Sequence, residues 1–392
     1  MQQNVIFLLL DVIGVILLFK WALQQFTDFT NSTNKIEFFS FKRFKSLLLV
    51  VLLIGIPILI INTTAIEEIF HITENQLNKN KLFFSIGVSF CISLIWLLYI
   101  IKLDVFEKEK KRNIALILVL SVVITCFSEI PYGVIHQLGF TDSELPAYSF
   151  IYSVFGIGLI EETIKFIPFL ILLKLTKAIN EPYDYIFYAS ASALGFAFVE
   201  NAMYLNNYGL NIINARALYA TVAHMTFSSV IAYGLFLIKF NKTKLPPILV
   251  FIAFYLLAML SHGFYDFWLI NKAVSSFEGL TTLFFLATVH IWFVMKNNTI
   301  NSSNYYNKNI SVDNDKIKMY LIISLLSIFM SSYIYVALAW NEQEANSFFL
   351  KSIFAYGYIM LYLIATLSRF NLIRGILKPI NIGINILFPR LK

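Results

Sequence analysis

Seven charged or proton-active side chains are concentrated in one apolar part of the chain. Glu161, Glu162 and Lys165 lie together, Glu200 is followed by Asn201, His224 stands alone, and His262 precedes Asp266 by four residues. Residues i and i+4 of a helix share a face, so Glu161 can pair with Lys165 and His262 with Asp266. Glu162 is rotated by about 100° from Glu161 and is expected to point elsewhere. Carboxylates and imidazoles meeting in a low-dielectric cavity can activate a water. A Glu beside a His holds the water and takes its proton, while a second His with an acidic partner stabilises the oxyanion formed on an attacked carbonyl. Alternatively, Glu161, Glu200, His224 and His262 can ligate a divalent metal such as Zn2+ with one position left open. Either arrangement suits hydrolysis of a peptide bond. No GxSxG or HExxH run occurs, so serine-hydrolase and zincin chemistry have no motif behind them.

These residues belong to a mostly apolar chain. Of 392 residues, 58% are hydrophobic and 14% charged, and the mean hydropathy is +0.73. Soluble globular domains carry about 25% charged and about 45–50% apolar residues. The composition therefore excludes an ordinary cytosolic enzyme, a disordered regulator and a soluble nucleic-acid binder. A polytopic membrane protein, with the lipid bilayer as its solvent, remains. The net charge of +7 fits cytoplasmic Lys and Arg, and nucleic acid is not an expected partner. Cys91 and Cys126 lie in apolar runs and read as small buried hydrophobes, with no disulfide framework or CxxC zinc site around them.

A membrane helix needs about 20 mostly apolar residues. Eleven runs qualify, near 5–25, 46–62, 82–101, 114–133, 147–173, 185–205, 217–238, 247–270, 280–296, 319–340 and 351–367. The expected fold is an all-α bundle of about 11 transmembrane helices. The leading MQQNV has no positive charge and Asp11 interrupts the first run, which reads as a retained helix rather than a signal peptide. The polar stretch from Lys296 to Lys318 reads as a flexible loop. Lys and Arg fall in alternate connections, 23 on one side and 5 on the other, with Arg216 among the five. The positive-inside rule then places the N-terminus outside and the C-terminus in the cytoplasm. Glu129 and Pro131 mark the outer end of the fourth span. His71 and His136 fall in outer loops, and His290 reads as structural.

A carboxylate at the bilayer centre costs about 2.5–3.5 kcal/mol on insertion scales, and such residues face the bundle interior. Spans five to eight also hold their polar residues at one level. Glu161 lies 13 residues from Lys174, Glu200 lies 16 from Asp184, His224 lies 15 from Lys239 and His262 lies 16 from Pro246. At about 1.5 Å per residue, all four sit about 20–24 Å from the cytoplasmic edge, in the outer half of the hydrocarbon core. Asp266 is one turn further out. Ala189, Ser190, Ala191, Ser192, Ala193 and Gly195 let the sixth span approach its neighbours closely.

The motifs carry a family likeness. Ile160-Glu161-Glu162-Thr163-Ile164-Lys165 reads as EExxK, Phe196-Ala197-Phe198-Val199-Glu200-Asn201 as FxxxEN, and His262-Gly263-Phe264-Tyr265-Asp266 as HxxxD, with His224 opening a motif between the last two. In this order on successive spans they resemble the PrsW family of intramembrane proteases, which is related to the Abi and CAAX prenyl endopeptidases. The resemblance covers about residues 114–270. It divides the chain into a three-helix segment (1–113), a catalytic core (114–270) and a three-helix segment with a cytoplasmic tail (271–392). It implies an endopeptidase in a bacterial plasma membrane, with Glu161 as the water-activating base and Glu162 and Lys165 in support. Glu200, His224, His262 and Asp266 would complete a water or metal site. The implied partner is a membrane-anchored protein substrate, such as an anti-sigma factor cut on the outer side. In the CAAX and Abi relatives the second motif ends in His where this chain has Glu200, and their oxyanion Asn is matched by Asp266. That exchange leaves open a metal bound by Glu and His. Read from the residues alone, the same cavity also suits an ion- or proton-coupled transporter, or a non-catalytic scaffold that binds a partner's helix.

Overall fold

The computed structural model describes residues 81–307, 313–370, 373–375 and 377–378. The first two expected spans, with Asp11 and His71, lie outside the described residues. Among the described residues every regular element is helical. α1 (Lys81–Leu103) is followed by α2 (Lys111–Thr125) and α3 (Glu129–Gln137). α4 (Pro146–Ile151) passes through a π-helical segment, Tyr152–Gly158, into α5 (Leu159–Leu175). α6 (Pro182–Tyr208) comes next. A 3-10 turn (Leu210–Ile212), a short α turn (Ile213–Ala215) and a second π-helical segment (Arg216–Ala220) then lead into α7 (Thr221–Lys239). α8 (Pro247–Ile270), α9 (Gly279–Asn301), α10 (Asn314–Ala339) and α11 (Glu342–Leu367) complete the described helices.

Among the described residues, seven helical stretches are long and apolar enough to cross a membrane: Lys81–Leu103, Lys111–Gln137, Leu210–Lys239, Pro247–Ile270, Gly279–Asn301, Asn314–Ala339 and Glu342–Leu367. The chain is a multi-pass membrane protein. The helices carrying Glu161–Lys165 and Glu200 are not among the seven, because their polar residues dilute the apolar run.

Three local expectations are corrected. Glu129 and Pro131 do not close the fourth span but open α3, where a first-turn Pro needs no amide donor, and His136 lies on that helix rather than in a loop. The stretch after Lys296 is not all loop, since α9 continues to Asn301, and Lys296, Asn298 and Asn301 are buried. Lys296 Nζ donates to Arg369 O at 2.8 Å, and Lys378 N donates to Asn298 Oδ1 at 2.8 Å. Polar composition implies a loop only while water is the partner; here the partner is backbone. Cys91 and Cys126 are exposed rather than buried, and a thiol is apolar enough to face lipid.

α6 and α7 occupy the centre of the bundle. Pro182–Ala197 and Thr221–Gly234 are buried residue after residue, as befits helices surrounded on all sides. α6 packs on α7, α2, α5 and α9, and α7 packs on α8 and α9. α8 instead leaves Ile252, Leu256 and Leu260 exposed, a four-residue spacing that lays an apolar stripe toward lipid. α6 begins with a capping box between Glu181 and Asp184, with Pro182 in its first turn. Its small residues do bring neighbours close. Ser121 Oγ on α2 donates to Ser192 O at 2.5 Å, Ser192 Oγ donates to Lys165 O at 2.6 Å, and Ser190 and Ser229 share a hydrogen bond at 3.0 Å. Hydrocarbon offers no hydrophobic drive between helices, so tight packing and such bonds, worth on average about 0.6 kcal/mol each, hold the bundle together.

The closest approach lies between α8 and the first π-helical segment. A Cβ at Gly263 would sit 2.5 Å from Val154 Cα and 2.7 Å from Val154 N, and one at Gly158 would sit 2.6 Å from Met259 O. Only hydrogen at both positions lets these backbones touch, and the contact sets His262 against the acids of α5. The chain forms two compact units. Leu82–Phe329 with Ser352 onward is the larger and contains every residue of the site. Met330–Lys351 belongs to the other, in which Tyr333 Oη donates to Asn346 Oδ1 at 3.1 Å.

Candidate active site

Glu161, Glu162 and Lys165 stand in the first two turns of α5, just after the π-helical segment. Glu200 is near the end of α6, His224 is in the first turn of α7, and His262 and Asp266 are in the last turns of α8. A second π-helical segment, Arg216–Ala220, leads directly into His224. Local underwinding of this kind recurs at functional sites because it re-aims the side chains that follow.

The structure brings all seven sequence-predicted residues into one hydrogen-bonded group. Lys165 Nζ lies at its centre, 3.2 Å from Glu161 Oε2, 3.0 Å from Glu162 Oε1, 2.8 Å from His224 Nδ1 and 3.5 Å from His262 Nδ1. It also lies 4.3 Å from the centre of the Phe196 ring, a contact that further shields the ammonium. Lys165 is 1% exposed and Glu162 0%, whereas Glu161 is 7% exposed. The expectation that Glu162 points away from Glu161 is corrected: both carboxylates reach Lys165 and His262. The 100° offset separates their Cβ directions, but the remaining bonds of each side chain close that gap onto partners lying between them.

The two imidazoles are held in the same way. His224 Nε2 lies 2.7 Å from Glu200 Oε2. Because an ammonium can only donate, His224 Nδ1 accepts from Lys165, and the ring proton is on Nε2, directed at Glu200. His262 Nδ1 lies 2.8 Å from Glu162 Oε1, which leaves Nε2 facing Glu161 Oε2 at 3.4 Å and Asp266 Oδ2 at 3.3 Å. Each imidazole therefore has one nitrogen fixed by a carboxylate and the other turned into the pocket. Ser228 Oγ holds the second oxygen of Glu162 at 2.8 Å, and the His262 ring stacks on Phe227. Glu161, His224 and His262 each offer a ligand atom within 4.8 Å of the others. Glu200, expected as a fourth ligand, is not in that group and instead backs His224.

Residues 113–295 match the model of the PrsW family of intramembrane metalloproteases. Over that segment the chain is similar to the PrsW family. It is similar to proteins named Protease PrsW. One from Oceanobacillus iheyensis is 34% identical over 145 residues, 37% of this chain and 64% of that protein. One from Shouchella clausii is 28% identical over 169 residues, 43% of this chain and 75% of that protein. One from Bacillus subtilis is 29% identical over 119 residues, 30% of this chain and 54% of that protein. The first match thus spans less than two thirds of its relative's length. No solved structure matches.

Two side chains of the matched segment join the site without having been singled out in the sequence. Arg216, expected in an outer loop, is 12% exposed at its side chain and ion-paired to Glu200. Its Nε donates to Asn201 Oδ1 at 2.6 Å, Asn201 Nδ2 donates to Thr221 Oγ1 at 2.9 Å, and Thr221 Oγ1 donates back to Arg216 O at 2.8 Å. A signal existed, since residue 216 precedes His224 by eight, about two turns on one face. Tyr132 of α3 donates to Glu161 Oε1 at 3.1 Å. Nothing distinguishes it in sequence from the other tyrosines. His290 lies on α9 beside Phe293.

Proposed function

We propose that the chain is an intramembrane endopeptidase that hydrolyses a peptide bond of a membrane-anchored protein, of the anti-sigma-factor class, in the pocket formed by Glu161, His224 and His262. In this reading the protein spans a bacterial plasma membrane with its N-terminus outside and its C-terminus in the cytoplasm, and the pocket lies toward the outer leaflet. One observation carries it: Glu200 on His224 and Glu162 on His262 fix the far nitrogen of each imidazole. Carboxylates in that position orient a histidine and raise the basicity of its free nitrogen.

The donor set fits a divalent metal, because one carboxylate and two imidazoles converge and both imidazoles are already backed by carboxylates. Glu161, His224 and His262 would hold the ion. Bound there, an ion such as Zn2+ supplies Lewis acidity for the scissile carbonyl and acidifies a water. Around it Asp266 orients His262, Ser228 and Lys165 hold Glu162, and the buried rings of Phe196 and Phe227 exclude bulk water. A second version rests on Lys165, whose ammonium lies on the very atoms that would bind metal. There Glu161 alone takes the proton of the water, while Lys165 and the imidazoles stabilise the oxyanion.

Cleavage of a membrane-anchored reporter by detergent-purified protein tests the proposal. Glu161→Gln is expected to abolish cleavage with unchanged expression and thermal stability, and retained cleavage would remove Glu161 from its role. Loss of activity on chelation with recovery on added zinc supports the metal version, whereas indifference to chelator supports the Glu161-only version.

A further inference from the structure

α3 is the least embedded element beside the pocket. None of its nine residues is buried, and Ile130, Val134 and, just past its end, Leu138 are exposed. Two side-chain bonds tie it inward. Tyr132 Oη donates to Glu161 Oε1 at 3.1 Å, and His136 Nε2 shares a hydrogen bond of 2.9 Å with the hydroxyl of Tyr152 in the first π-helical segment. Tyr132 and Ile135 also pack on the small apolar cluster of Ile160, Ile164 and Phe196.

The two oxygens of Glu161 are divided between opposite neighbours. Oε2 faces Lys165 and His262, and Oε1 faces Tyr132. A carboxylate with one oxygen unpartnered among Ile160, Ile164 and Phe196 would swing to recover a donor, because a buried acceptor without a partner is costly. We propose that Tyr132 is a positioning residue for Glu161: its hydroxyl, carried on the strap α3, holds Oε1 so that Oε2 is presented to the two imidazoles. Tyr132 acts through Glu161, and α3 flanks the pocket beside Glu161. The inference rests on the proposed peptidase reading.

Tyr132→Phe tests it, since the variant keeps the ring that packs on Ile160, Ile164 and Phe196 and loses only the hydroxyl. Zinc affinity is measured on the full-length purified protein by competition with a chelator, alongside kcat and KM on the reporter. Zinc affinity and kcat are expected to fall about 10-fold or more, the usual effect of losing a group that orients a ligand, with KM within about twofold and the melting temperature unchanged. Tyr132→Ala is expected to add a fall in melting temperature and a rise in KM as α3 loosens. Wild-type zinc affinity and kcat in Tyr132→Phe would overturn the inference while leaving the peptidase reading intact. A wild-type protein that neither cleaves nor binds zinc would overturn that reading and this inference with it.

Discussion

Gly263→Ala places the smallest possible perturbation where the fold meets the chemistry. The added Cβ would lie 2.5 Å from Val154 Cα and 2.7 Å from Val154 N. Both are backbone atoms of the π-helical segment and cannot turn aside as a flexible side chain would. Ordinary carbon contacts begin near 3.4 Å, so α8 and the π-helical segment must part by about 0.9 Å. His262 is the residue before Gly263, and Glu161 and Glu162 follow the segment that is pushed. A rigid displacement of that size takes the His262 Nδ1 to Glu162 Oε1 separation from 2.8 Å to about 3.7 Å, beyond hydrogen-bonding range. Misplacement by about 1 Å costs about 100-fold in rate, while overpacking one site costs about 1–3 kcal/mol of stability. Activity should therefore collapse in protein that still folds. The assay is initial-rate cleavage of the membrane reporter, normalised to the folded fraction from a thermal melt in the same detergent. Gly279→Ala is the matched control, because a Cβ there meets nothing within 4 Å. Cleavage by Gly263→Ala within about threefold of wild type would show that the contact between α8 and the π-helical segment does not set the geometry of His262.

Arg216→Gln is expected to lower zinc affinity by about 10–100-fold in the same chelator competition, since Glu200 then loses the cation that holds it on His224. At the other end of α6, burial beside Asp104, Glu107 and Glu109 pushes Glu181 up to about 7, and burial pushes Asp104 up to about 6. Between about pH 4 and pH 7 the folded protein then binds more protons than the unfolded chain, so this contribution to stability is complete below the unfolded carboxylate range and is lost as pH rises through about 7. The melting temperature should rise between pH 7.5 and pH 5, and Glu181→Gln should flatten that slope; an equal slope in the variant would assign it elsewhere.

The site was legible in the sequence because hydrocarbon makes polar residues conspicuous. Glu161, Glu200, His224 and His262 announced themselves by type and by a shared depth along four helices, and depth follows from counting residues. Direction around the helix is less legible. The Cβ direction of Glu162 points away from that of Glu161, yet its long side chain returns to Lys165 and His262. Arg216 was lost for a different reason. A cation near the end of a span looks the same in sequence whether it faces headgroups or turns inward to a carboxylate, and only the packing of α6 against α7 decides. The polar run after Lys296 reads as loop in sequence because its partners, Arg369 and Lys378, lie more than 70 residues later in the chain. The two π-helical segments left no mark that periodicity can detect, although they set the phase of the helices that carry Glu161 and His224.

Formal charge gives the Arg216 prediction its force. The pocket gathers four carboxylates, Glu161, Glu162, Glu200 and Asp266, around two permanent cations, Lys165 and Arg216. With neutral imidazoles two negative charges remain, which protonation of an imidazole or a carboxylate, or one divalent ion, would cancel. If charge alone governed the affinity of that ion, removing Arg216 would deepen the negative potential and tighten binding. If Arg216 serves to hold Glu200 on His224, so that Nδ1 faces inward, removing it weakens binding despite the added negative charge. The two accounts differ in sign rather than in size, so one affinity measurement separates them. The closed ring of hydrogen bonds from Arg216 through Asn201 and Thr221 back to the Arg216 carbonyl favours the second account, because a simple counter-charge has no need of a fixed guanidinium plane, whereas a group that orients a carboxylate does.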